Sequence, residues 1–251
     1  MSSLRPSVRV RQTEPRDFEA IHQLSRRVYP HDEPWLADQL ASHLRVFPEG
    51  QFVAVDPATD AVLGMAASLI VRWDDYEVGA SYRDFTDHFM FTNHDPSGRT
   101  LYAAEVMVDP DQRRRGIGRA LYRARRDLVR RLKLHRIRAG ARLRGYSAYA
   151  HLFTPEAYVQ RVVGGEIIDP TLSFQLRNGF RVIGVVEDDL RRDPDSMGYA
   201  AIIESINHRV VSKRHYAGRD PRFLPRTVRE RTPEADRSDG GSRPRSMRGG
   251  F

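Results

Sequence analysis

The 251 residues are 40% hydrophobic and 29% charged, enough apolar material for one core of ordinary domain size. The absence of cysteine excludes disulfides, thiolate metal sites and cysteine nucleophiles, and fits a reducing compartment. The net charge of +8 is localised: Arg209 to Phe251 carry 12 Lys/Arg against 5 Asp/Glu, so residues 1–208 are nearly neutral and whole-chain charge gives no argument for a DNA-binding fold. The opening MSSLRPSVRVRQTEPRDF lacks the apolar core of a signal peptide, and no run of 18 apolar residues occurs anywhere. These features predict a soluble cytoplasmic protein with no membrane partner.

In chain order, Val8–Arg11 alternates as a short strand. Thr13, Glu14 and Pro15 open a first helix with Phe18, Ile21, Leu24 and Val28 on its apolar side, and Pro34 opens a second with Leu36, Leu40, Leu44 and Phe47. Gln51–Val55 and Val62–Val71 read as a hairpin around a DPATD turn, and 72–99 as a long irregular loop. Leu101–Val108 is a strand, and Gly116–Leu134 a helix striped by Ile117, Leu121, Leu128 and Leu132. A strand at Ile137–Leu143, helices near Pro155–Val163 and Thr171–Arg177, and strands near Phe180–Val186 and Tyr199–Ile206 complete a three-layer α/β order. This gives a domain over 1–208. The Arg/Pro/Gly/Ser-rich segment 209–251 lacks periodic apolar residues and is expected to be a disordered basic tail.

The chemistry concentrates in AEVMVDPDQRRRGIGRALYRARRDL. A strand ends at Val108, Asp109-Pro110 turns the chain, and Arg113-Arg114-Arg115-Gly116-Ile117-Gly118 opens a helix. A helix N-terminus presents unpaired N–H groups and about half a positive charge. Glycines let an anion approach the backbone, and arginines add charge-assisted hydrogen bonds to phosphate oxygens. Two rival phosphate loops fail. The dinucleotide fingerprint G-x-G-x-x-G has Leu121 at its third position, and the P-loop G-x-x-x-x-G-K-[ST] is absent.

The pattern that does match is [RQ]-x-x-G-x-[GA] directly after a strand ending V-x-P, carried by Val108-Asp109-Pro110, Arg113, Gly116 and Gly118. With Asn178-Gly179-Phe180 at a helix-to-strand corner downstream, the chain resembles the GNAT (GCN5-related) N-acetyltransferases over roughly 8–206. FPEGQF (47–52), HDP (94–96), FQLRNGF (174–180) and GYAA (198–201) are similar to the acetyltransferase module often fused ahead of a nitrilase-type carbon–nitrogen hydrolase. No hydrolase half with a cysteine nucleophile is expected in this sequence.

The resemblance implies an α/β GNAT fold, a mixed, mostly antiparallel sheet of about seven strands flanked by helices. It implies acetyl-CoA as co-substrate, lying in a V-shaped opening between the fourth and fifth strands. The backbone of Val106, Met107 and Val108 would bind the pantetheine arm, and a backbone N–H near Met107 would polarise the acetyl carbonyl. Arg113, Arg114, Arg115, Gly116, Ile117, Gly118 and Arg119 would hold the pyrophosphate. Glu105, an acid in a largely apolar strand, is either the general base or an arginine's ion-pair partner. Where the family places the tyrosine that protonates the leaving thiolate, this chain has Gln175, a candidate whose amide can hydrogen-bond the sulfur but cannot act as an acid, which leaves Tyr146, Tyr149 or water to give the proton.

Arg123, Arg126 and Arg130 read as a solvated face, and His22, His31, His43 and His135 as surface residues without metal-ligand spacing. Asp74, Asp75 and Glu77 read equally as attractors of a cationic amine acceptor or as a charged loop face. Three functions fit these residues: an acetyl-CoA-dependent N-acetyltransferase acting on a primary amine, an acyl-CoA-binding module with little catalysis, and nucleic-acid binding through the tail alone. A homodimer stays open.

Overall fold

The computed structural model describes residues 8–30, 32–76, 80–187, 193–212 and 221–223. Seven strands form one sheet: β1 (Arg9–Gln12), β2 (Phe52–Val55), β3 (Val62–Val71), β4 (Thr100–Val108), β5 (Arg136–Arg142), β6 (Arg181–Val186) and β7 (Ala200–Ile206). Their order is β1-β2-β3-β4-β5-β7-β6, and every pairing is antiparallel except β4 with β5. The mixed, mostly antiparallel seven-stranded sheet expected from the sequence is what the chain forms.

Among the described residues six α-helices flank the sheet: α1 (Phe18–Val28), α2 (Ala37–Val46), α3 (Tyr82–Phe85), α4 (Ile117–Arg131), α5 (Pro155–Gly164) and α6 (Leu172–Arg177). One core joins β2–β5 and β7 to α4, α5 and α6, with Leu121, Leu128, Tyr158 and Leu172 at its centre. A second core, on the other face, holds Ile21 and Leu24 of α1, Leu40 of α2 and Phe85 of α3. β3 is therefore apolar along its length but for Ser68, VLGMAASLIV, as befits a strand covered on both faces. β5 instead alternates: Ile137, Ala139 and Ala141 are buried, while Arg136 and Arg138 ion-pair with the buried Glu204 of β7. α5 is delimited by local chemistry, with Thr154 capping Ala157, Pro155 in the first turn and left-handed Gly165 at the end.

Three sequence expectations change. The 72–99 segment holds a short helix, α3, capped by Ser81. Past residue 208, Val211 and Phe223 are buried, and Phe223 joins the core beside α5 and β6. The other described residues there are few; 213–220 and 224–251, like His31, lie outside the described residues.

His43 is not on the surface. It is 1% exposed, stacks on Phe91 with ring centroids 3.7 Å apart, and bonds through Nε2 to the Phe89 carbonyl at 2.7 Å. Burial pulls its imidazole from 6.5 down to about 4, and the Phe89 bond only partly offsets this. Protonation thus favours the unfolded chain: the stabilisation is complete above pH 6.5 and is lost as pH falls toward 4. Equilibrium urea unfolding should show a loss of about 3 kcal/mol over that window, largely absent in His43→Gln.

Candidate functional site

The parallel pairing of β4 with β5 lasts only from Thr100–Arg136 to Tyr102–Arg138. Beyond it β5 keeps its partner β7 up to Arg142 while β4 stays with β3, so the two strands part and leave a V-shaped opening. The cause of the divergence is visible in the β3–β4 register. Ala67 faces Glu105 but Leu69 faces Tyr102, so β4 spends one residue more than β3 across this stretch. Such a bulge bends the strand and interrupts its ladder.

Arg125 of α4 occupies the interruption. It is 0% exposed; Nε donates to Ser68 Oγ at 2.9 Å, and Nη2 donates to the Ala67 carbonyl at 2.7 Å and to the Glu105 carbonyl. All three acceptors are neutral oxygens, and burial lowers the guanidinium pKa, with the charges of Tyr122 and Glu105 opposing. Sequence reasoning missed this residue. The available signal was a lone arginine on the apolar stripe of α4, between Leu121 and Leu128.

At the mouth of the V, Asp109 anchors the turn into α4, accepting from the Asp111 amide and pairing with Arg27 of α1 at 2.9 Å. Arg113, Arg114 and Arg119 are exposed, and Arg115 bonds back to Gln112. Arg114 (φ 62°) and Gly116 (φ 81°) are both left-handed, which only glycine adopts without strain. The glycines differ in role from the expectation that both open the backbone to an anion. A Cβ at Gly116 would meet nothing within 4 Å, whereas one at Gly118 would sit 2.8 Å from Phe174 Cζ. Gly116 leaves open space at the helix end; Gly118 admits α6.

Along β4, the Asp109 amide bonds to Leu63 O of β3 at 2.9 Å. Antiparallel alternation then turns the Met107 backbone toward β3 and the Val106 and Val108 backbones toward the V. Met107, 0% exposed, thus belongs to the core, and the expected polarising N–H is not its own. The Val106 amide donates to Glu105 Oε1 at 2.8 Å.

Glu105 is half-buried, and the Tyr29 hydroxyl also donates to its Oε1, at 2.9 Å. Oε1 is held and Oε2 is left for a water or a substrate nitrogen. Burial raises the Glu105 carboxyl above its ordinary value; the Tyr29 hydroxyl, the Arg142 charge, the Val106 amide and Arg125 draw it partly back. Arg142, at the end of β5, lies over the Tyr29 ring at 5.0 Å and pairs with Asp32 at 2.8 Å. Carboxylate, phenol and guanidinium thus bridge the V from β4 through the end of α1 to β5.

Gln175 of α6 is buried beside Tyr122 of α4. Tyr146 is elsewhere: its hydroxyl donates to the Phe153 carbonyl at 3.1 Å, inside a cluster with Tyr158 and Tyr199. The structure brings together Glu105, Val106, Val108 and the 113–119 loop; it does not bring Tyr146 to them. Asn178-Gly179-Phe180 forms the α6–β6 corner, with Arg126 half-buried and bonded to the Asn178 carbonyl rather than solvated. Asp74 is exposed; Glu77 and the side chain of Asp75 lie outside the described residues. Among the described residues no helix is long and apolar enough to cross a membrane, and no cluster of three or more metal-ligating side chains occurs.

Residues 17–151 match the model of the acetyltransferase (GNAT) family. The chain belongs to that family. It is 34% identical over 192 residues to the uncharacterized N-acetyltransferase YkwB of Bacillus subtilis (strain 168), covering 75% of this chain and 84% of YkwB. It is 40% identical over 215 residues to the probable hydrolase YhcX of the same organism, covering 84% of this chain but only 42% of YhcX. The chain thus spans less than half the length of that relative. Among solved structures, the GphF GNAT-like decarboxylase in complex with isobutyryl-CoA aligns with TM-score 0.65 at 22% identity, over 79% of this chain and 98% of that one. The loading GNATL domain of CurA from Lyngbya majuscula aligns with TM-score 0.68 at 15% identity, over 80% and 98%. As a GNAT acetyltransferase the protein is an acyltransferase that takes its acyl group from an acyl-CoA and passes it to an acceptor.

Arg125 ties α4 to the bulge between β3 and β4. Cutting its side chain back to a methyl group removes every donor from the bulge and leaves a large buried void. Chemical denaturation of Arg125→Ala should show a loss of about 3–5 kcal/mol.

Proposed function

We propose that this chain transfers an acetyl group from acetyl-CoA to a primary amine by direct attack. The observation that carries the reading is Glu105: a carboxylate with a raised pKa, fixed through one oxygen, on the strand that lines the V. The pyrophosphate sits on the amides of 114–119 at the start of α4, with Arg113, Arg114 and Arg119 free to pair its oxygens. The pantetheine arm extends β4 along the Val106 and Val108 edge, as an added strand would. On this reading the thioester lies beside the Glu105 carboxylate, where β4 is bulged. An incoming ammonium must lose a proton before its nitrogen can attack, and Oε2 of Glu105 takes it directly or through one water.

The relatives support this reading without naming the acceptor. YkwB carries the N-acetyltransferase description, and isobutyryl-CoA in the GphF complex is a CoA thioester held by the same fold. The greater length of YhcX is in keeping with a module that also works attached to a second domain.

Titration calorimetry with acetyl-CoA tests the first half; no binding at millimolar cofactor overturns the proposal. Turnover on an amine panel tests the second. Glu105→Gln should lower kcat by roughly 10²–10⁴-fold while leaving acetyl-CoA affinity in place. Activity falls as pH drops through the raised Glu105 pKa. Tyr29→Phe removes a donor that favours the carboxylate, so the acid limb of kcat/KM should move to higher pH. An acid limb unchanged in Tyr29→Phe separates Glu105 from the base role.

A further inference from the structure

The two faces of the sheet are covered unequally. α4 packs on one of them. Glu105 stands on the other: it pairs with Ala67, which is buried with Ile21 and Leu24 of α1, and it is held by Tyr29 at the end of that helix. On this second face α1, α2 and α3 cover β2, β3 and β4; among the described residues none of β5, β6 or β7 joins the core beneath them. β5 turns Ile137, Ala139 and Ala141 to the α4 face, so Arg136, Arg138, Gly140 and Arg142 lie on the uncovered side. Across the ladder Gly140 pairs with Ile202, and Ile202 with Gly184. A half-buried isoleucine thus lies between two positions without side chains, in a row across three strands. Arg142, Ala200 and Val186 flank this row on one side, and Arg138, Glu204 and Arg181 on the other, which makes it a trough. It begins on the arm of β5 that has left β4, because that pairing ends at Tyr102–Arg138. The trough therefore opens from the V on the face that carries Glu105.

The backbone demands neither glycine. Neither is left-handed, Gly140 lies in an unbroken ladder, and a Cβ at Gly184 would meet nothing within 4 Å. Glycine inside a strand weakens it, and where the backbone does not call for it the gain is close approach by another molecule. Charge sets what that molecule carries at its far end. Arg142 is paired with Asp32 at 2.8 Å, and Asp193 lies 3.8 Å from its Nε. In the opposite wall Arg136 and Arg138 share the buried Glu204, and Asp74 acts on Arg138 through its charge. Arg181, at the β6 end, is exposed and has no carboxylate partner among the described residues.

Resting on transfer to an amine, we propose that this trough seats the body of the acceptor, a small primary amine with an apolar chain and a terminal carboxylate. The amine lies at Glu105 and the carboxylate at Arg181, two strand spacings, roughly 10 Å, from the β5 edge of the V. An ω-amino acid has this form. Ile202 meets its methylenes, the glycines leave room for them, and Arg181 holds the carboxylate by a charge-assisted hydrogen bond.

Equilibrium binding tests this without turnover. The full chain saturated with CoA is titrated calorimetrically with ω-aminooctanoate and with its neutral isostere ω-aminooctanamide. The acid should bind at least about tenfold more tightly than the amide, and Arg181→Gln should erase the difference. Gly184→Ile, whose side chain enters the trough and not the core, should weaken ω-aminooctanoate by about tenfold or more and leave CoA affinity unchanged. Equal affinity of acid and amide for wild type overturns the proposal, and that comparison decides even if a variant fails to fold. Unchanged ω-aminooctanoate affinity in a Gly184→Ile chain that binds CoA normally also overturns it. So does failure of the wild-type CoA complex to bind either compound at millimolar concentration, which leaves transfer to another amine standing. Binding in the expected pattern, without turnover when acetyl-CoA replaces CoA, upholds the trough and overturns the acetyl-transfer reading instead.

Discussion

The hydrogen bonds from Arg125 to the β3–β4 bulge are the interaction on which the rest of the site depends. A sheet with regular β3–β4 and β4–β5 ladders has no opening. The extra residue in β4 creates one, at the expense of an interrupted ladder in the interior of the protein. The guanidinium repairs the interruption by donating to oxygens of both strands, Ala67 and Glu105, and to the Ser68 hydroxyl. Because it belongs to α4, the repair also fixes that helix, and the turn of residues 113–116 before it, relative to the bulged strand β4. On the acetyl-transfer proposal, the two ends of the co-substrate would thereby be held at a set separation by a single side chain. A buried cation without a carboxylate in its hydrogen-bond set is costly, and an apolar residue would pack there more cheaply. The geometry of the opening is what the arginine adds.

The electrostatics of the opening follow the same economy. Glu105 is withdrawn from water enough to hold its proton more tightly than an exposed carboxylate, yet Tyr29 and the Val106 amide keep one oxygen in place. Arg142 stands behind Tyr29 and is itself neutralised by Asp32, so its pull on Glu105 is moderated. The result is a carboxylate whose position is fixed and whose affinity for a proton is set by three elements of the fold.

Much of this architecture is legible in the sequence, and the exceptions have physical causes. Strands and helices with a clean period, such as α4 and β5, declare themselves, and the Val108-Asp109-Pro110 turn with Arg113 and Gly116 marks the cofactor end. What periodicity cannot show is register. The bulge is one residue out of step between two apolar strands, and neither strand looks unusual alone, so the sequence groups the Met107 backbone with those of Val106 and Val108 although the register turns it toward β3. Tyr146 is misplaced for a related reason: a tyrosine near the end of a strand reads alike whether its hydroxyl meets substrate or the Phe153 carbonyl. His43 and Arg125 were readable in principle, since both fall on the apolar side of a helix, where a polar residue must be buried with partners. Tyr122 was readable only as core; its proximity to Gln175 is a fact of two helices meeting.

That meeting has its own consequence for how the sequence can drift. Phe174 Cζ fills the space above Gly118, and Gln175 is the next residue along α6. A methyl group at position 118, which the loop pattern alone would accept, sits 2.8 Å from Phe174 Cζ, so that ring must shift to admit it. Positions 118 and 174 therefore form one inherited unit: an alanine at the first calls for a slimmer side chain at the second. Among homologues the two should trade volume.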